Sequence, residues 1–147
     1  MDRMNNEDLS LKLFVIFSRA GQSITKRIEE DIKGYGIHPT EFAVLELLFN
    51  KGDQPIQKIG DKILLASSSI TYVIDKLEKK QLLVRRPCSN DRRVTYAAIT
   101  LEGIEFMKMI FPKHKKAIQQ IFDGLSHEEQ KMMMEQLKKL GYYAQSL

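Results

Sequence analysis

The stretch PIQKIGDKILLASSSITYVIDKLEKKQLLVRRPCSNDRRVTYAAIT, residues 55–100, decides the fold. Pro55 opens a short helix on which Ile56, Ile59 and Ile63 share one face, ending near Leu65. Ser67, Ser68 and Ser69 offer N-cap hydroxyls, and Ile70, Val73, Ile74 and Leu77 repeat at helical spacing through residue 80. Two short helices are thus joined by a tight turn. Beyond them, Leu82 to Arg86 and Val94 to Ile99 are rich in β-formers and flank the polar segment Pro87 to Arg93, which predicts a hairpin with a charged tip. Helix, turn, helix and hairpin in immediate succession form a winged helix-turn-helix, the architecture that places its second helix in the major groove of duplex DNA.

The flanks read as longer helices. Leu9, Leu13, Phe14, Phe17, Ala20, Ile24, Ile28 and Ile32 mark an amphipathic helix over residues 8–33, stopped by Gly34 and Gly36. His38 precedes Pro39, which suits a first helical position, and Glu41 favours the positive end of the dipole of a helix reaching about Lys51. Downstream, Thr100 caps a helix striped by Ile104, Met107, Phe111, Ile118 and Phe122, which Pro112 should bend. Ser126 and Glu129 form a capping box before a last helix carrying Met133, Leu137 and Leu140. The expected fold class is mainly α with a small β-hairpin wing, one domain over residues 1–147. The stripes of the first and the last two helices are too apolar and too long for a monomer, so residues 1–36 and 101–147 are expected to build a homodimer around a winged unit at 37–100.

Charge points the same way. The 147 residues carry a net charge of +4. Residues 1–50 sum to −2, residues 51–93 to +5 (10 Lys and Arg against 5 Asp and Glu) and residues 94–147 to +1. The excess therefore lies on the winged unit, as a polyanion-binding surface requires, although a solvated basic face without a partner has the same composition. With the apolar stripe of the second short helix turned inward, Ser68, Ser69, Thr71, Tyr72 and Lys76 remain outside, able to reach base edges and phosphates. For the serines, simple capping is the competing reading. At the hairpin tip Arg92 and Arg93 project from a turn. A minor groove attracts such side chains, and Asp91 can hold one guanidinium in place; an ordinary charged turn is the alternative.

Other classes find little support. No apolar run reaches the roughly 18–20 residues of a membrane helix, and Met1 to Asp8 is polar and acidic, so a cytoplasmic location and no membrane partner are expected. The single cysteine, Cys88, forms no internal disulfide. His38, His114 and His127 lie in separate segments, and neither a phosphate-binding glycine loop nor a nucleophile elbow occurs, so no catalytic residues, metal site or cofactor are assigned. His114 or His127 near Glu128 and Glu129 is the one weak metal candidate. A winged-helix protein-interaction module, or a small metal- or thiol-dependent enzyme, are the readings to be separated from a regulator by salt-dependent binding to duplex DNA.

The run LLASSSITYVIDKLEKKQLLVRRPCSNDRRVTYAAIT, with Asp91-Arg92-Arg93 at the wing, resembles the multiple-antibiotic-resistance regulator (MarR) family. The resemblance extends over essentially the whole chain and implies a dimeric transcriptional repressor. It implies that Arg92 enters the minor groove while Asp91 and Arg93 form supporting ion pairs. Ser67, Ser68, Ser69, Thr71, Tyr72 and Lys76 complete the implied DNA-binding set. Gln81 stands where the family usually has glycine. The segments TEFAVLELL and PIQKIGDKILLASSSITYVIDKLEKK are similar to the hydroquinone- and quinone-resistance repressors of Gram-positive bacteria, which implies release from DNA by small phenolic or quinone-like compounds. Such an effector would sit where the dimerisation helices meet the winged unit, lined by Phe14, Phe17, Phe42 and Phe111, although their helical spacing fits plain core as well. Thiol-sensing relatives carry their cysteine in the first helix, where this chain has none. Cys88 at the wing root, near Arg85, Arg86 and Arg92, is a possible redox or alkylation site or an inert small hydrophobe.

Overall fold

The computed structural model describes residues 5–63 and 67–147, except for the side chains of Ser67 and Ser68. Helix α1 spans Asn6–Lys33, capped by Asn5, whose Oδ1 accepts the Asp8 N–H at 2.7 Å. Only its C-terminal part is covered: Ile32 is buried and Ile24 and Ile28 half-buried, while Leu9 to Phe17 lie open. Helix α2 spans Pro39–Lys51, with proline in the first turn as its fixed φ and missing N–H favour. Glu41 does more than complement the dipole. Its Oε1 accepts the His38 N–H at 3.2 Å, completing a capping box, and the residue is buried in the core layer at 3% exposure.

The sheet corrects one expectation. It has three strands rather than a two-stranded hairpin: β1 (Gln54–Pro55), β2 (Leu83–Pro87) and β3 (Thr95–Ile99), antiparallel in the order β1-β3-β2. Pro55 therefore pairs with Tyr96 before α3 (Ile56–Lys62) begins. This is an edge strand, where proline's missing donor leaves no ladder bond open. Helix α4 covers Ser67–Lys79, so the three serines lie in its first turn; the expected end of the preceding helix near Leu65 lies outside the described residues. Its inward stripe of Ile70, Val73, Ile74 and Leu77 is buried against Leu45, Leu48, Ile59 and Leu83 in one core cluster.

After α4 the chain turns through Gln81 at φ 64, a left-handed conformation. The Leu82 N–H closes on the Leu77 carbonyl at 3.0 Å, a Schellman-type end, and the Gln81 carbonyl accepts the Thr100 hydroxyl at 2.7 Å. Non-glycine residues in this region cost about 1–2 kcal/mol, part of which glycine would return through its larger unfolded-state entropy. Gln81→Gly is therefore expected to stabilise the protein by about 0.5–1 kcal/mol, a rise in Tm of about 2 °C. A lower Tm by differential scanning calorimetry would contradict this.

Thr100 then caps α5 (Leu101–Phe122), accepting the Gly103 N–H at 2.9 Å. A Cβ at Gly103 would run into the Leu82 carbonyl oxygen, so this glycine lets α5 start directly against the wing root. The helix continues through Pro112, with Met107, Ile110 and His114 buried. Helix α6 (His127–Ser146) begins at the Ser126/Glu129 capping box, which holds the Glu129 carboxyl below its ordinary range through the Ser126 N–H. It has no buried residue. No described helix is long and apolar enough to cross a membrane.

Candidate nucleic-acid interface

Burial of the α4 stripe forces its other face outward. Thr71, Tyr72 and Lys76 are exposed, Tyr72 by 62%, while Ser69 is half-buried. Lys76 Nζ lies 4.8 Å from the centre of the Tyr72 ring, so the two form one aromatic and cationic patch on the outer face of α4. The side chains of Ser67 and Ser68 lie outside the described residues.

At the wing tip Asp91 organises Arg93. Its Oδ1 accepts the Arg93 backbone N–H at 3.0 Å and Nε at 3.2 Å, and this clasp leaves Arg93 itself 90% exposed. The Arg93 N–H first, and then its guanidinium, hold the Asp91 carboxyl below the usual range. A depressed carboxyl contributes its share above the unfolded value and loses it only as pH falls through the depressed one, so the clasp persists throughout the neutral range. Arg92, next in the turn, is exposed and makes no ion pair among the described residues. Gln57 of α3 reaches the tip through Nε2, 3.4 Å from the Arg93 carbonyl.

Several ion pairs and hydrogen bonds that sequence patterns did not show hold these parts together. Arg85 of β2 reaches α4, with Nη2 at 2.5 Å from Asp75 Oδ1 and Nη1 at 2.6 Å from Glu78 Oε1. The hydrogen bond to Asp75 leads the causes that keep its guanidinium above the ordinary arginine value. Lys80 lies 2.9 Å from Glu41 Oε2 without an aligned hydrogen bond, an ion pair tying the end of α4 to the start of α2. At the junction of α1, α2 and α5, Asp31 accepts the Tyr35 hydroxyl at 2.7 Å and pairs with His114 Nδ1 at 2.9 Å. Burial, followed by the Asp31 bond, pushes the Tyr35 hydroxyl up to about 12.

The four phenylalanines are not gathered in one cavity of the single chain. Phe42 is a core residue 4.6 Å from the His114 ring, Phe111 is half-buried at 6.3 Å from Phe49, and Phe14 and Phe17 lie on the open part of α1, more than half exposed. Nearby, α1 and α5 bound a cleft of about 670 Å³ lined by residues that include Ile24, Arg27, Asp31 and Ile121. Cys88 is half-buried and lies at the tip end of the wing instead of its root: it follows Pro87, whose partner is Thr95, and its N–H donates to the Val94 carbonyl at 3.0 Å. No group of three or more His, Cys, Asp and Glu suited to a metal is found among the described residues.

Comparison with known proteins agrees with this geometry. The MarR family model matches residues 37–95. The HTH-type transcriptional regulator MhqR of Bacillus subtilis is 56% identical over 92% of this chain and 93% of its own length. Among solved structures, AbsC of Streptomyces coelicolor, a MarR family transcriptional regulator, superposes with a TM-score of 0.82 over 100% of both chains at 19% identity. Sco3205 of the same organism, a MarR family transcriptional regulator solved in complex with DNA, gives 0.80 over 95% of this chain and 92% of its own at 20% identity. At such identities these two structures establish the fold.

Proposed function

The chain belongs to the MarR family of transcriptional regulators, and from that premise we propose that it is a homodimeric repressor that binds a near-palindromic operator and leaves it when small phenolic or quinone-like compounds bind. The observation that carries the reading is the outward face of α4, where an exposed Tyr72 beside Lys76 has no packing role, together with a wing that presents Arg92 free of ion pairs among the described residues. Residues 37–100 are the DNA-binding unit in this reading. Asp91 and Arg93 shape the tip, Arg92 enters the minor groove, and Ser67, Ser68, Ser69, Thr71, Tyr72 and Lys76 face the major groove. Residues 1–36 and 101–147 are the dimerisation part.

An effector releases DNA only if it binds one spacing of the two reading helices better than the other. The junction of α1, α2 and α5 is where such a difference arises. Phe111 keeps accessible ring surface there for a flat aromatic compound, with Phe42 beneath as support, whereas Phe14 and Phe17, about 20 Å away along α1 at 1.5 Å per residue, join such a site only across the dimer interface. The test is footprinting on DNA upstream of the protein's own gene, with and without a panel of phenols and quinones, on wild-type and Cys88→Ser proteins. Reversible binding at the junction releases both proteins. Alkylation at Cys88 releases only the wild type and makes non-electrophilic phenols ineffective. Release of neither protein by any compound removes the effector part of the reading, and absence of a footprint removes the whole.

A further inference from the structure

The fork between the wing strand and the reading helix has no place in the DNA contacts proposed above. Asp75 and Glu78 lie three apart on α4, so one guanidinium can span both, and Arg85 does so from β2. Its own backbone N–H adds a third bond, to Glu78 Oε2 at 3.3 Å. The side chain is 29% exposed, so the pairs are partly screened from water. Exposed pairs as such add little to stability, about 0–1 kcal/mol, which leaves geometry as the effect that a three-point clasp controls best. β2 is paired along its length with β3, and the two carry the tip between them. Whatever fixes β2 against α4 therefore fixes where Arg92 stands relative to Tyr72 and Lys76.

We infer that Arg85 is a positioning residue for DNA recognition: clasping Asp75 and Glu78, it sets the angle between wing and reading helix so that both meet DNA at once. This rests on the reading above that α4 and the wing both touch DNA. The alternative role for the same pairs is charge neutralisation, with Arg85 cancelling two carboxylates that would repel phosphates. The two roles give opposite signs when the carboxylates are removed. Asp75→Asn with Glu78→Gln adds two net positive charges per protomer, so neutralisation alone predicts tighter binding and a steeper salt dependence. Positioning predicts weaker binding in spite of the added charge.

The experiment is fluorescence anisotropy with operator and random duplexes at several salt concentrations, on the intact protein and on four variants. For Asp75→Asn/Glu78→Gln we expect operator affinity to fall about tenfold, the size of a typical coupling between groups in contact, with a smaller change on random DNA. Arg85→Lys keeps the charge and loses the fork, and is expected to weaken operator binding about threefold. It carries the same test should the doubly neutral protein lose its cooperative melting. Combining Arg85→Lys with Arg92→Ala should cost scarcely more than Arg92→Ala alone, because the fork acts through the wing. Equal or tighter operator binding by the neutral variant, or full additivity with Arg92→Ala, would overturn the positioning role. If Arg92→Ala itself leaves binding unchanged, it is the underlying DNA-binding reading that fails.

Discussion

Replacing Leu137 and Leu140 of α6 by glutamate is expected to turn the dimer into a monomer and to lower operator affinity by at least about a hundredfold. Helix α6 buries nothing within its own chain, and Met133, Leu137 and Leu140 are 40–50% exposed on it. The front of α1 is equally bare at Leu9, Leu13, Phe14 and Phe17. Full burial of one leucine contributes about 1.5–3 kcal/mol, Leu137 and Leu140 have 41% and 50% of their surface left to bury, and two-fold symmetry counts each residue twice, so four leucines supply about 3–5 kcal/mol that the substitution removes. Four buried carboxylates oppose association further. A monomer keeps one half-site and loses the gain from linking two, which amounts to 10²–10⁴ in affinity as an order of magnitude. Because α6 adds nothing to the core cluster, the winged unit should keep its cooperative melting. Sedimentation velocity at micromolar concentration tests the first half and anisotropy the second; a wild-type monomer, or a variant that remains dimeric, would contradict the arrangement.

The second large effect belongs to the wing. Arg92→Ala is expected to weaken binding about tenfold per wing, near a hundredfold for a dimer, on operator and random DNA alike. The slope of log K against log salt should flatten by about one phosphate equivalent per subunit. Thr71→Ala and Tyr72→Ala should instead change sequence preference, since on the proposed reading the α4 side chains face base edges while the wing reads groove width and charge. The contrast matters more than either loss alone. Equal loss on operator and random DNA for all three variants would contradict this division of labour.

The local signals in the sequence were strong. Pro39 and Gly52 bracket α2, Thr100 and Ser126 cap α5 and α6 as their side chains allow, and the stripe on α4 is buried as its spacing requires. Even the left-handed turn at Gln81 was foreshadowed by the glycine usual there. What escaped was long-range or too short to have a period. β1 is two residues long, and its Pro55 is as apt for a helix start as for an edge strand. Asp31 and His114 are 83 positions apart, and Arg85 reads as one more basic residue until folding sets it against Asp75 and Glu78. Glu41 could be placed at a helix start, but its burial and its pairing with Lys80 depend on α4 packing over it. On α4, helical spacing was enough to sort inside from outside, whereas the clasps that tie α4 to the wing were not legible.

The most direct test is a hydroxyl-radical footprint of the intact protein on a duplex selected from random sequence. Two protected patches are expected, related by a two-fold axis and centred about one helical turn, roughly 10 bp, apart, with protected minor-groove segments outside them where the two wings lie. A single unsymmetric patch, or protection that does not depend on sequence, would contradict a dimer reading its operator through α4 and the wing.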